Sequence, residues 1–250
     1  MSELLAEISI KRGYEMKLKI MLLLFLTYSI ALGASDLVSA ETLFADPDIP
    51  QGETITYVSR VGDKALTVVE KVVIKREGEK ELYEITSRSN PLDRTIVLEK
   101  DSMTIVSVHT VRKYQEVTID SFLTVLDEKE QFGSDEVKLA DFTIMSYLFR
   151  GFPFGKIEKI KIGSHREEQK DNYPFHITHK KREKIEINGR TIECYKLELG
   201  MDGFWGRFFP KTNMWYSVES PHYLVRYKGQ SGRPGSPKRV VELESYTVMK

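Results

Sequence analysis

ETITYVSRVGDKALTVVEKVVIKREGEKELYEITSRS, residues 53–89, is the stretch that decides the fold. Apolar and polar residues alternate along it, and Val, Ile, Thr and Tyr are prominent, which is the signature of half-buried strands. Gly62-Asp63 and Glu77-Gly78-Glu79 interrupt the alternation. Connections this short join only antiparallel neighbours, since parallel strands need a long crossover. The stretch therefore reads as three strands, Thr54–Val61, Ala65–Arg76 and Glu81–Ser89, of a meander.

The pattern continues outward. Arg94–Lys100, Thr104–Arg112 and Val117–Leu126 follow, separated by Asn90-Pro91, Asp101-Ser102 and a corner near Lys113. In the second half, strands are expected at Ile157–Ile162, Phe175–Ile187, Thr191–Leu199, Met214–Val218, Tyr223–Tyr227 and Arg239–Val248. Asn188-Gly189 favours a type I′ hairpin turn, which pairs Ile187 with Arg190, Lys184 with Glu193 and Ile185 with Ile192. Gly229 to Pro237, rich in Gly and Pro, reads as a longer hairpin loop.

Residues 139–152 have a different period. Leu139, Phe142, Met145, Phe149 and Phe152 recur every three or four positions, a single helical stripe. Asp141 is placed to cap the start, and Gly151 followed by Pro153 gives a stop. A helix this apolar in a chain of strands has to cover a sheet face.

The N-terminal region is of another kind. Lys17 and Lys19 precede an uncharged apolar core, Ile20 to Leu32, and Val38-Ser39-Ala40 ends on small residues. This is the layout of a cleavable secretory signal with Met16 as its natural start, and the core is shorter than the roughly 20 residues of a spanning helix. The expected organisation is a signal peptide over 1–40, a lead-in over 41–52 and one β-rich domain over 53–250, located in the periplasm.

Composition bounds the function. Lys+Arg and Asp+Glu are 37 each, a balance with no general attraction to nucleic acid. Cys194 is the one cysteine, so no internal disulfide forms, and a lone thiol in an exported protein reads as buried and inert. His176 and His179, three apart on a strand, fall on opposite faces and share no metal ion. The basic run Lys180, Lys181, Arg182 and Lys184 reads as a protected strand edge. Gly229-Gln230-Ser231-Gly232 lacks the fifth-position glycine and the strand-to-helix setting of a nucleophile elbow. With no catalytic motif, cofactor fingerprint or metal pattern, the expectation is a protein that is not an enzyme and holds no cofactor or metal. An outer-membrane barrel is disfavoured by charges on both faces of single strands, such as Glu70 and Lys71.

Large specific side chains concentrate between Gly203 and Gly229. Trp205, Trp215, Tyr216, His222, Tyr223, Arg226 and Tyr227 are the candidate ligand-binding residues. Aromatics at this density form either a core or an apolar groove with a polar rim.

Phe209-Pro210-Lys211-Thr212 through Trp215-Tyr216, the run Pro221 to Tyr227, and Gly52-Glu53 with Tyr57 resemble a family of exported bacterial β-proteins of unknown function (DUF3108-like). That family is similar in fold to the periplasmic lipoprotein carriers of the Lol system, in which a curved antiparallel sheet wraps an apolar cavity plugged by helices. The resemblance covers most of the chain after the leader. It implies a half-open barrel and transfers no catalytic residue. The fold expected is mainly β, a curved antiparallel meander (half-open barrel) with one covering α-helix at about 139–152. The function expected is binding or carriage of an apolar small molecule or lipid, such as an acyl chain. The alternative is a non-enzymatic envelope module that docks a partner protein.

Overall fold

The computed structural model describes residues 43–114, 117–124, 136–139, 144–164, 175–202, 206, 210–231 and 235–249. The leader, Met16, Asp141, Phe142 and Trp205 lie outside the described residues.

Among the described residues, one open sheet of fourteen strands carries the fold. The first six are β1 Glu53–Val61, β2 Lys64–Glu77, β3 Lys80–Ser89, β4 Leu92–Glu99, β5 Ile105–Tyr114 and β6 Val117–Thr124. Each pairs antiparallel with the next, as the short turns require. The second half comprises β7 Glu136–Leu139, β8 Lys159–Ser164, β9 Phe175–His179, β10 Glu183–Ile187, β11 Arg190–Met201, β12 Thr212–Ser217, β13 Leu224–Gln230 and β14 Lys238–Val248. Strand β14 returns to pair with β1 and so joins the two halves. The order across the sheet is β6-β5-β4-β3-β2-β1-β14-β13-β12-β11-β9-β8-β7, and β10 pairs with β11 off this path.

The Asn188-Gly189 hairpin has the expected register, with Ile187 opposite Arg190, Lys184 opposite Glu193 and Ile185 opposite Ile192. Both turn residues have positive φ, 49° and 71°, which is what a type I′ turn demands. Its tip folds back on the sheet, where the Asn188 side-chain amide donates to the Leu243 carbonyl at 3.0 Å.

Four local expectations are corrected. The run 175–187 is two strands, β9 and β10, which share one edge of β11 but are separated at Lys180–Arg182. Gly229 and Gln230 belong to β13, where they pair with Arg239 and Lys238, so the loop before β14 is shorter than its composition suggests. His222 and Tyr223 precede β13, and His222 has φ of 54°, so strand alternation does not govern the faces they present. Lastly, the helical stripe is divided. Leu139 lies in β7, paired with Ser164, and the helix, α1, is Met145–Leu148, continued by a 3-10 turn over Phe149–Gly151.

Strands β7 and β8 run parallel, the one departure from antiparallel pairing among the described strands. Parallel neighbours need a crossover, and α1 with its 3-10 turn lies in the segment that connects them. The crossover crosses the inner sheet face together with residues 43–49. Leu43, Phe44 and Ile49 are buried with Ile144, Leu148, Phe149 and Phe152 in one core cluster. Gly151 is needed where these two segments meet. Ala45 donates its amide to the Gly151 carbonyl at 3.0 Å, and a Cβ at Gly151 would collide with the Ala45 carbonyl oxygen.

Candidate functional site

Register fixes which side chains share the inner face. Val72, Ile85, Ile96, Val108 and Leu123 form one row across β2 to β6. Ile74, Tyr83, Leu98 and Ile105 form another across β2 to β5. Between apolar positions runs a polar row: Glu70, Ser87, Arg94, Thr110 and Ser121. Arg94 Nε donates to Thr110 Oγ1 at 3.2 Å.

Above this face, the crossover contributes two polar side chains. Arg150 and Glu53 are 1% and 0% exposed, and the guanidinium clamps the carboxylate with both Nη atoms, at 2.7 and 2.8 Å. Arg150 Nε donates to the Pro221 carbonyl at 2.8 Å. Burial alone would lower the pKa of this guanidinium, but the Glu53 carboxylate pushes it above its ordinary value. Tyr147 is buried beside Arg150, and the Glu70 carboxyl has its pKa raised first by burial, against the lowering effect of Tyr147, Ser87, Arg150 and Arg94. Glu70 Oε2 and the Tyr147 hydroxyl lie buried without a close hydrogen-bond partner. Tyr216, from β12, donates its hydroxyl to the Met145 carbonyl at 2.7 Å.

These charges were detectable in the sequence. Glu53, Glu70 and Arg94 each occupy the apolar parity of their own strand, alongside Ile55 and Tyr57, Val72 and Ile74, and Ile96 and Leu98. A charge on the buried parity marks an interior polar site. Composition-based reading passes over it.

The second cluster is aromatic and lies where the crossover leaves the interior. Phe154 stacks on Tyr195, rings 4.2 Å apart and 5° from parallel. His179 and His222 each turn an edge to both rings, at 5.4 to 5.8 Å. Phe152 and Tyr216 close the cluster from the core side. Phe154, Tyr195, His179 and His222 are all half-buried. Desolvation lowers the pKa of both histidines, with Arg182 adding to the effect at His179. His222 Nδ1 lies 3.0 Å from the Ser217 carbonyl, so in the neutral ring Nδ1 carries the proton.

Of the sequence-derived candidates, Tyr216 and His222 join this cluster. The others are placed elsewhere. Trp215 donates its indole N–H to Glu183 at 2.8 Å, with the Lys196 ammonium over its ring. Tyr223 stacks on Tyr246 at 4.6 Å. Arg226 donates to Glu242 at 2.9 Å and to the Glu186 carbonyl at 3.1 Å. Tyr227 donates to the Gln230 carbonyl at 3.1 Å. Trp205 lies outside the described residues. Sequence reasoning missed Phe154 and Tyr195, which are distant in sequence from the dense 203–229 stretch and meet it through the crossover and β11. Cys194 is buried, and burial pushes its thiol up to about 12.

No family model matches the chain, and no curated protein matches it. Solved structures do show likeness. A β-barrel-like protein of a domain of unknown function (DUF1849) from Brucella abortus aligns over 80% of this chain and 99% of its own, at 8% identity and a TM-score of 0.40. The hypothetical lipoprotein YmcC from Escherichia coli aligns over 79% and 89%, at 10% identity and a TM-score of 0.33. A LolA superfamily protein from Nitrosomonas europaea aligns over 87% and 94%, at 10% identity and a TM-score of 0.26. Likeness at this level transfers no activity.

Proposed function

We propose that this is a non-enzymatic periplasmic protein that binds an apolar ligand such as a lipid acyl chain. The carrying observation is the Phe154–Tyr195 stack with its two flanking histidines, half-buried at the rim of the inner face. Both histidines have lowered pKa values, so at neutral pH the four rings present an uncharged, polarisable surface continuous with the core. Sites for apolar molecules are composed in this way, mostly aromatic with few polar groups. The secretory leader read in the sequence supports the compartment.

Lipid extraction of the protein purified from its native envelope, followed by mass spectrometry, tests the reading. A stoichiometric lipid is expected from wild type, with recovery reduced in Phe154→Ala and Tyr195→Ala variants whose circular dichroism is unchanged. Wild-type protein that yields no stoichiometric lipid overturns it.

A further inference from the structure

An open sheet has edges, and this one protects them unequally. Strand β7 is four residues long and carries Glu136 and Lys138. Strand β10 carries Glu183, Lys184 and Glu186, and its turn is fastened to β14 through Asn188. Strand β6, at the end of the sheet order, is Val-Thr-Ile-Asp-Ser-Phe-Leu-Thr. It has no lysine or proline, two of the usual devices that blunt an edge. Its one charge, Asp120, is engaged by His109 Nε2 at 2.6 Å. Among the described residues, three of the six exposed large apolar side chains lie on this strand: Val117 at 59%, Ile119 at 50% and Phe122 at 67%.

We propose that β6 is a self-association edge, pairing antiparallel with β6 of a second copy of this chain about a two-fold axis at Ser121. The sequence of the strand selects that register. A two-fold axis normal to the sheet keeps inner faces together, so paired residues must have the same parity. Two registers overlap most. Centring on Asp120 pairs residues 117–123, and centring on Ser121 pairs residues 118–124. The first sets Asp120 directly against Asp120 of the second copy, and like charges opposite one another are destabilising. The second sets Ser121 against Ser121 and Ile119 against Leu123, twice by symmetry. Ile119, Ser121 and Leu123 lie on the inner face, because β5 places Thr110 and Val108 beside Ser121 and Leu123. The apolar row ending at Leu123 then continues onto Ile119 of the second copy. Asp120 faces Phe122 instead of another carboxylate. A single continuous sheet results, and the closed C2 pairing consumes both exposed edges.

Light scattering of protein purified from its native envelope, over a dilution series, should give twice the chain mass. Ile119→Lys, and Phe122→Glu, which sets a second carboxylate against Asp120 of the other copy, should each give the monomer mass with an unchanged circular dichroism spectrum. Opposed Cα atoms across an antiparallel pair are about 4.5–5.5 Å apart, within disulfide reach, and Cys194 is buried and does not compete. Ser121→Cys should therefore form a covalent dimer on oxidation, and Thr118→Cys, which faces Thr124 and leaves Asp120 in place, should not. A wild type that is monomeric throughout overturns the proposal. So does a dimer that survives both charged variants, a covalent adduct to a different protein as the dominant product of the Ser121→Cys variant, or equal crosslinking at the two cysteine positions.

Discussion

The centre of the sheet and its β6 margin are built from the same alternating pattern and end in opposite states. On β1 to β4 the inner face lies under α1, the 3-10 turn and residues 43–49. There Ile55, Val72, Ile85, Ile96 and Leu98 are at most 2% exposed. On β6 the inner-face residue Ile119 is half exposed, although it occupies the same parity in its ladder. Alternation tells which side chains share a face. It does not tell what lies over that face, and the overlying segments here come from distant parts of the chain.

The severest test of this contrast falls on the ion pair that fastens the crossover to the centre. Arg150→Met leaves Glu53 as an uncompensated buried charge, at a cost of about 3–5 kcal/mol. The double variant Glu53→Leu with Arg150→Met should recover most of that loss, because no charge remains to be desolvated. Chemical denaturation of the three proteins measures both effects. If the single variant unfolds at the wild-type midpoint, the crossover is not fastened by this pair.

A matched pair of truncations measures the two regions side by side. Ile85→Ala, at the covered centre, should cost about 2–5 kcal/mol through lost transfer energy and a cavity. Ile119→Ala, at the margin, should stay within about 0.5 kcal/mol for folding, with its effect appearing in the association measurement instead. Equal costs would mean that β6 is as covered as β3.

Between these lies Tyr216→Phe. It removes one of two donors to the buried Met145 carbonyl, which keeps the Phe149 amide, and should cost about 0.5–1.5 kcal/mol, the net worth of one hydrogen bond. Melting curves followed by tryptophan fluorescence, with Trp215 beside the substitution, would register it.

The smallest effects are in pH dependence, and they have opposite signs in the two clusters. Glu70 has a raised pKa in the fold, so its contribution is complete below the unfolded value near 4.5 and is lost as pH rises through the folded one. Glu70→Gln should therefore be more stable than wild type at neutral pH, with the difference shrinking on acidification. His179 and His222 have lowered pKa values. Their contribution is present above about 6.5 and is lost as pH falls through their folded values. His222→Gln should flatten the fall in melting temperature below that pH, and a parallel curve would show that His222 does not titrate in the fold.

Local sequence was enough for the strand class, the antiparallel order of β1 to β6 and the Asn188-Gly189 register. These follow from short-range rules: period two, short turns, and a turn residue pair whose positive φ angles fit hairpin twist. Charges on the buried parity at Glu53, Glu70 and Arg94 stood in the same alternation, but a reading by composition passed over them. Long-range packing settled the rest. Whether 139–152 is one helix or a strand followed by a short helix depended on β8 being available to pair with β7, which no local period encodes. Whether the aromatics of 203–229 gather into one site depended on where Phe154 and Tyr195 arrive, and the crossover and β11 bring only Tyr216 and His222 of the candidates to them. Ion pairs between residues 97 positions apart, such as Glu53 with Arg150, form only when the chain has already chosen its long-range packing. That choice is made by burial of the whole inner face at once, and so no single segment of the sequence contains it.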